Sequence, residues 1–167
     1  ASVYTDPRRF GIADLFERAE EPVQSLLEHL GPEPFAGWNS TIAAERIGAK
    51  RSAIKITLLD QRFVVGVGNI YACEALHRSG ISPTTPSNTL VRKNGKPTKK
   101  LERLVEEVKA VLEAAIAVGG STLNDFAAVD GTLGYFGHHF QVYDREAGSS
   151  LQDGCNGTIS PIVQTNP

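Results

Sequence analysis

The spacing of apolar residues predicts a mainly helical chain that glycine and proline interrupt. The clearest element is an amphipathic helix over 101–118, with apolar residues at steps of three and four: Leu101, Leu104, Val105, Val108, Val111, Leu112, Ala115 and Ile116. Shorter stripes predict a helix within 12–30, two helices over 38–60 that Gly48 separates, and a helix over 70–78 with Ile70, Cys73 and Leu76 on one face.

Turn signals divide the rest of the chain. Residues 1–11 predict a strand and a turn, and the two prolines within 31–34 mark a boundary before the helices. Ser40 or Thr41 is placed to cap the first helix of 38–60. Residues 121–137 predict a loop and 140–143 a short strand. The tail, 144–167, has weak strand positions at Ile159, Ile162 and Val163.

The composition argues against a membrane protein and against a disulfide scaffold. No apolar run approaches the roughly 18 residues of a membrane span, and residues 1–9 lack the apolar core of a secretory signal. The two cysteines, Cys73 and Cys155, lie far apart in the sequence, which suits a reducing compartment. We therefore expect a cytoplasmic protein.

Charge is distributed unevenly along the chain. From Arg46 to Arg103 there are twelve lysines and arginines against three acids, Asp60, Glu74 and Glu102, a surplus of +9 in a chain of net charge −2. The remainder therefore carries −11. A basic middle suggests a face for a polyanion, and the alternative is a set of solvated helix surfaces.

The turn before the 70–78 helix has the chemistry of an anion site. Gly66 and Gly68 allow the backbone to bend sharply, and Asn69 takes the position of a helix N-cap. The N–H groups at the start of a helix and the positive end of its dipole attract phosphate, and Lys55 can add charge. The alternative is an ordinary helical hairpin in which Asn69 serves only as a cap.

Several segments resemble, in the same order, those of the formamidopyrimidine-DNA glycosylases. The sequence LLDQRFVVGVGNIYACEALHRSGI at 58–81 is similar to the helix–two-turn–helix of that family. Further matching segments are DPRRFG at 6–11, LGPEPF at 30–35, AIKITLLDQ at 53–61, GGSTLNDF at 119–126, GYF at 134–136 and VYDRE at 142–146. The resemblance implies an enzyme that removes oxidised purines, flipped out of the base stack, and then cuts the strand at the abasic site.

The resemblance also implies which residues bind DNA. Asn69 would hold the phosphates beside the lesion, together with the N–H groups of Ile70 and Tyr71 and with help from Lys55. Tyr143 would touch the backbone as well.

Two further groups would act at the lesion itself. Arg8 would meet the orphaned base while Phe10 fills the gap beside it, and the alternative is a strand pair with Phe10 in a core. A loop would close over the flipped base, and the alternative is a floppy helix exit. This loop contains Ser121, Thr122, Leu123, Asn124 and Asp125.

The chain departs from the family pattern at two places. The family's nucleophile is an N-terminal proline amine, whereas this chain begins Ala1-Ser2, so we expect no catalysis by this chain alone. The family's four-cysteine finger holds zinc, but Cys155 is a lone remnant, with Ser150 and Gln152 where its partner belongs. We therefore expect neither metal nor another cofactor in this chain.

The sequence thus predicts a mainly α fold, in which a helix–two-turn–helix bundle precedes a loop and a degenerate, zinc-finger-like β-hairpin. We expect a remnant of the catalytic domain at 1–37, the DNA-binding domain with its lesion-capping loop at 38–137, and a truncated β-ribbon at 138–167. The expected function is the DNA-binding part of a base-excision-repair glycosylase/lyase for oxidised purines, monomeric on damaged double-stranded DNA. The alternatives are a non-catalytic damaged-DNA-binding protein from that family and an endonuclease VIII-like member.

Overall fold

The computed structural model describes residues 27–119, 140–152 and 154–164. Within them the fold is helical: α1 is Ser40–Ile47, α2 is Ile54–Leu59, α3 is Asn69–Arg78, a 3₁₀ helix is Ser87–Leu90, and α4 is Lys99–Ala117. None of these residues belongs to an extended strand. The mainly α prediction is confirmed, while most of the helix expected within 12–30 lies outside the described residues.

Side-chain caps explain where two of the helices begin. The side chain of Asn39 accepts hydrogen bonds from the N–H groups of Thr41 and Ile42, so Asn39 caps α1 in place of Ser40 or Thr41. The cap lies one residue earlier than expected because Ser40 already has helical geometry. Thr98 caps α4, where its hydroxyl accepts from Leu101 N–H.

α4 is the element against which α1 and α3 pack. Its buried face contains Leu101, Leu104, Val105, Val108, Val111 and Ala115. This is the stripe that the sequence predicts, except that Leu112 is half-buried and Ile116 is 69% exposed. Ile116 follows Ala115 by one residue, a rotation of about 100° around the helix, which turns it toward solvent.

Aromatic and hydroxyl contacts complete the core around α2. The rings of Trp38 and Phe63 are both buried and meet edge to face, with centroids 6.0 Å apart. The Thr57 hydroxyl of α2 contacts the hydroxyls of Ser52 at 3.0 Å and Ser87 at 2.8 Å. Ser87 begins the 3₁₀ helix. The sequence did not predict this helix, because a single turn of polar residues is too short to show a periodic pattern.

The segments after α4 differ from the predicted strand arrangement. Residues 140–143 pair with no other strand in the described fold, so the strand expected there is wrong. An isolated antiparallel bridge joins Ser149 to Thr158, and backbone hydrogen bonds of 2.8–3.0 Å link 147–150 with 157–159. Ile159 lies in this pairing, whereas Ile162 and Val163 are exposed and have no regular structure.

Among the helices described here, none combines the length and the apolar character that a membrane crossing requires.

Candidate nucleic-acid interface

The turn between α2 and α3 is organised by the side chain of Gln61. Its Oε1 accepts a hydrogen bond from Gly66 N–H at 2.8 Å, and its Nε2 donates to the carbonyls of Leu59 and Val67 at 3.3 Å. Gly66 has a φ of +81°, a left-handed conformation in which any other side chain would be strained. Gln61 therefore fixes the path by which the chain enters α3.

The N-terminus of α3 has no side-chain cap. Gly68 is the N-cap residue and Asn69 is already helical, so the expectation that Asn69 caps the helix is wrong. The backbone of Gly68 takes the extended geometry of the cap, and its carbonyl accepts the first helical hydrogen bond, from Ala72 N–H at 2.9 Å. The N–H groups of Asn69 and Ile70 precede that bond, so they have no acceptor within the helix.

The exposed side chain of Asn69 contacts Cys73, one turn further along α3. The Cys73 thiol lies 3.8 Å from Oδ1 of Asn69 and can donate a weak hydrogen bond to it. This contact engages the carbonyl end of the amide. The amine end of Asn69, which carries two donors, is then the end suited to an acceptor outside the chain.

A cavity of about 550 Å³ lies between the helices and the carboxy-terminal segments. Its helical wall includes Lys55 and Cys73, and its other wall includes Tyr143 and Arg145. Lys55 and Tyr143, both half-buried, thus face a common space. Cys73 lines this cavity, and its thiol also contacts the Asn69 amide.

The cysteine that resembles a zinc ligand is paired with a hydroxyl. The side chain of Ser150 and, next, the backbone of Gly157 form hydrogen bonds that lower the pKa of the exposed Cys155 thiol, against an opposing effect of burial. In the described part of the chain, no three histidines, cysteines, aspartates or glutamates are grouped to hold a metal. These residues do not fit a tetrahedral zinc site, which needs four N or S ligands.

Residues 30–127, more than half of the chain, match a family model described as the formamidopyrimidine-DNA glycosylase H2TH domain. The chain belongs to the formamidopyrimidine-DNA glycosylase family. The formamidopyrimidine-DNA glycosylase of Beijerinckia indica subsp. indica is 47% identical over 163 residues, which are 97% of this chain and 57% of that protein. The corresponding protein of Methylocella silvestris is 46% identical over 163 residues, covering 97% of this chain and 56% of its own length. The chain therefore spans little more than half the length of these relatives.

Solved structures of the formamidopyrimidine-DNA glycosylase family share this fold. The crystal structure of the MutM (Fpg) protein from Thermus thermophilus superposes with a TM-score of 0.76 at 33% identity, covering 95% of this chain and 58% of that one. A complex between the Lactococcus lactis Fpg and DNA containing an abasic site gives 0.73 at 26% identity, covering 86% and 51%. These matches confirm the family that the sequence segments indicate.

The structure describes part of the set of site residues that the sequence predicts. Asn69, Ile70 and Tyr71 form the first turn of α3, while Lys55 and Tyr143 line the cavity. The remaining predicted residues lie outside the described part of the chain: Arg8, Phe10, Ser121, Thr122, Leu123, Asn124 and Asp125.

Two residues near this site were not singled out from the sequence. Gln61 organises the turn, and a lone polar residue between apolar runs is too common to indicate that role. Glu74 is fully buried and follows Ile70 by four residues, so it lies on the apolar face of α3. An acid at a position of the apolar stripe is a signal that could have identified it, because acids are almost never fully buried without partners.

Proposed function

We propose that this family member binds damaged double-stranded DNA and that the start of α3 holds the phosphates beside the lesion. The observation that carries the proposal is the uncapped N-terminus at Gly68 with the exposed Asn69 beside it. Backbone N–H groups and an amide amine donate to phosphate oxygens, and such contacts fix the register of a protein on the duplex. They do not read the base sequence, which suits a site defined by damage.

Lys55 and Tyr143 extend this contact along the cavity. Lys55 supplies a charge that neutralises a phosphate, and Tyr143 supplies a hydroxyl donor. The surplus of basic residues over 46–103 supports a polyanionic partner. The Lactococcus lactis relative is a complex with DNA that contains an abasic site, and we propose the same kind of partner here.

Recognition of the lesion would follow the family resemblance. In this proposal Arg8 faces the orphaned base, Phe10 fills the gap, and the loop over 121–125 closes on a flipped oxidised purine. The domain division at 1–37, 38–137 and 138–167 separates these roles. The last of these units would be a zinc-finger-like ribbon held by the pairing around Ser149 and Thr158 and not by metal.

The chemistry of the glycosylase/lyase would not be carried by this chain alone, because it spans little more than half of the relatives that bear the name. We expect no covalent adduct when the 167-residue chain is incubated with abasic-site DNA and borohydride, which reduces a Schiff base to a stable link. A trapped adduct would contradict this. It would also count against the alternative of a purely non-catalytic binder of damaged DNA, which predicts no adduct either.

The remaining alternative is an endonuclease VIII-like protein, which prefers oxidised pyrimidines. The preferred lesion distinguishes it from the proposed function. The DPRRFG and GGSTLNDF segments favour oxidised purines.

We also propose that the protein is monomeric and cytoplasmic.

Asn69→Ala tests the phosphate contact directly. Binding of the chain to a duplex with a tetrahydrofuran abasic analogue should weaken about ten-fold, since one polar donor to a charged acceptor is lost. Asn94→Ala is the matched control, because Asn94 is an exposed amide whose described hydrogen bond is local, to Lys96 N–H. Equal affinities of the two variants, measured by fluorescence anisotropy, would remove Asn69 from the site.

A further inference from the structure

Glu74 is a charged side chain at the centre of α3 that the DNA contacts above do not use. It is 0% exposed. Its Oε1 accepts hydrogen bonds from the N–H groups of Val142 and Tyr143, and its Oε2 accepts one from Gln141 N–H, all at 2.9 Å. No ion pair among the described residues neutralises it.

Each side of this contact satisfies a need of the other. A buried carboxylate is strongly unfavourable unless hydrogen bonds satisfy its oxygens. Three consecutive backbone N–H groups without a strand partner also require acceptors. No hydrogen bond to another backbone group involves 141–143 within the described fold, so Glu74 accepts the backbone hydrogen bonds that fasten this segment to α3.

The segment that Glu74 holds leads directly into the second wall of the cavity. Tyr143 accounts for one of the three hydrogen bonds and, with Arg145, lines the same cavity as Lys55. Asn69 lies on the same helix, five residues before Glu74. A single helix therefore carries both the proposed phosphate-binding end and the anchor of the segment that contains Tyr143.

We propose that Glu74 is a positioning residue of the DNA interface. It sets Tyr143 at a fixed place relative to Asn69 and Lys55, so that neighbouring phosphates meet the three side chains together. This inference rests on the proposed function, in which these side chains hold DNA. Glu74 acts through the segment over 141–143 and makes no contact with DNA, because it is buried.

Glu74→Gln changes the anchor with little change in shape. The glutamine oxygen can still accept from Val142 and Tyr143, but its amine faces the Gln141 N–H, so two donors oppose each other. Affinity for the tetrahydrofuran duplex should fall about ten-fold. Glu106→Gln, which removes the same charge from an exposed position on α4, should leave the affinity unchanged.

A double-mutant cycle separates positioning from general stability. If Glu74 acts through Tyr143, then Tyr143→Phe should weaken binding in the wild-type background and weaken it clearly less in the Glu74→Gln background. Asn69→Ala should still weaken binding in that background, since its own contact does not pass through 141–143. Independent, additive losses from Glu74→Gln and Tyr143→Phe would overturn the inference.

A measurement on the wild-type chain keeps the inference testable if Glu74→Gln does not fold. Amide hydrogen exchange by NMR should be as slow at Gln141, Val142 and Tyr143 as in the middle of α3, and fast exchange at all three would overturn the inference.

A different result would contradict the proposed function. It is wrong if the wild type binds damaged and undamaged duplexes equally, whereas a loss for Asn69→Ala with none for Glu74→Gln overturns only the role of Glu74.

Discussion

At the scale of single residues, Cys155 illustrates how one hydroxyl changes a thiol. The hydrogen bond from Ser150 and then that from Gly157 stabilise the thiolate and lower the pKa of Cys155. Ser150→Ala removes the larger of the two, so the pKa should rise and the thiolate fraction at neutral pH should fall. The measurement is the rate of iodoacetamide labelling against pH, read at the Cys155 peptide by mass spectrometry.

Ser160→Ala provides the control for this experiment, because Ser160 is an exposed serine of the same segment. Its labelling curve should match that of the wild type. If the curve of Ser150→Ala also stays in place, the Ser150 hydroxyl does not stabilise the thiolate.

The positions of candidate site residues could be predicted from the sequence where they depend on the local chain. Asn69 and Lys55 belong to segments with a recognisable order; Asn69 contacts Cys73, and Lys55 lines the same cavity as Cys73. Glu74 differs, because its partners lie 67 to 69 residues later in the chain. Helical periodicity describes neighbours three or four residues apart and carries no information about such a contact.

At the scale of elements, the chain before α1 is fastened to the turn that leads into α3. Gly31 N–H donates to the Gln61 carbonyl at 2.8 Å, and a Cβ on Gly31 would lie 2.5 Å from the Arg62 carbonyl oxygen. Gly31→Ala therefore forces two backbone segments apart and should lower the free energy of unfolding by about 1–3 kcal/mol. Urea denaturation followed by circular dichroism measures this.

Gly48→Ala is the matched glycine substitution. Gly48 ends α1 with φ −54°, and the nearest atom to an added Cβ is the Ala44 carbonyl oxygen at an ordinary 3.4 Å. This substitution should leave the free energy of unfolding unchanged or raise it by up to about 1 kcal/mol, because alanine restricts the unfolded chain. A loss at Gly48 as large as that at Gly31 would show that the close approach to Arg62 is not the cause.

How well the sequence predicts an element depends on how far its apolar pattern extends. α4, Lys99–Ala117, lies within two residues of the predicted helix because its stripe repeats over five turns. The strand predicted over 140–143 failed for a physical reason. Aromatic and β-branched residues such as Phe140, Val142 and Tyr143 favour a strand. Here the Glu74 carboxylate accepts hydrogen bonds from the N–H groups that a neighbouring strand would have bound.

At the scale of the whole molecule, the two ends of α3 face different charged surroundings. Asn69 begins the helix, and Lys55 lines the cavity that Cys73 connects to it. The other end, at Arg78, shares a smaller cavity with Arg103 of α4.

This arrangement predicts distinct salt dependences for DNA binding. Lys55→Gln should reduce the slope of log affinity against log salt by about 0.9, since one fewer counterion is released from the duplex. Asn69→Ala should lower the affinity at every salt concentration and leave the slope unchanged, because an amide neutralises no phosphate. Lys100→Gln removes the same charge as Lys55→Gln from an exposed position in the first turn of α4, which does not line this cavity, and should change neither quantity. Titrations by fluorescence anisotropy between about 50 and 200 mM salt cover the useful range. Equal slope changes for Lys55→Gln and Lys100→Gln would mean that DNA contacts the basic surface as a whole, with no particular role for the cavity wall.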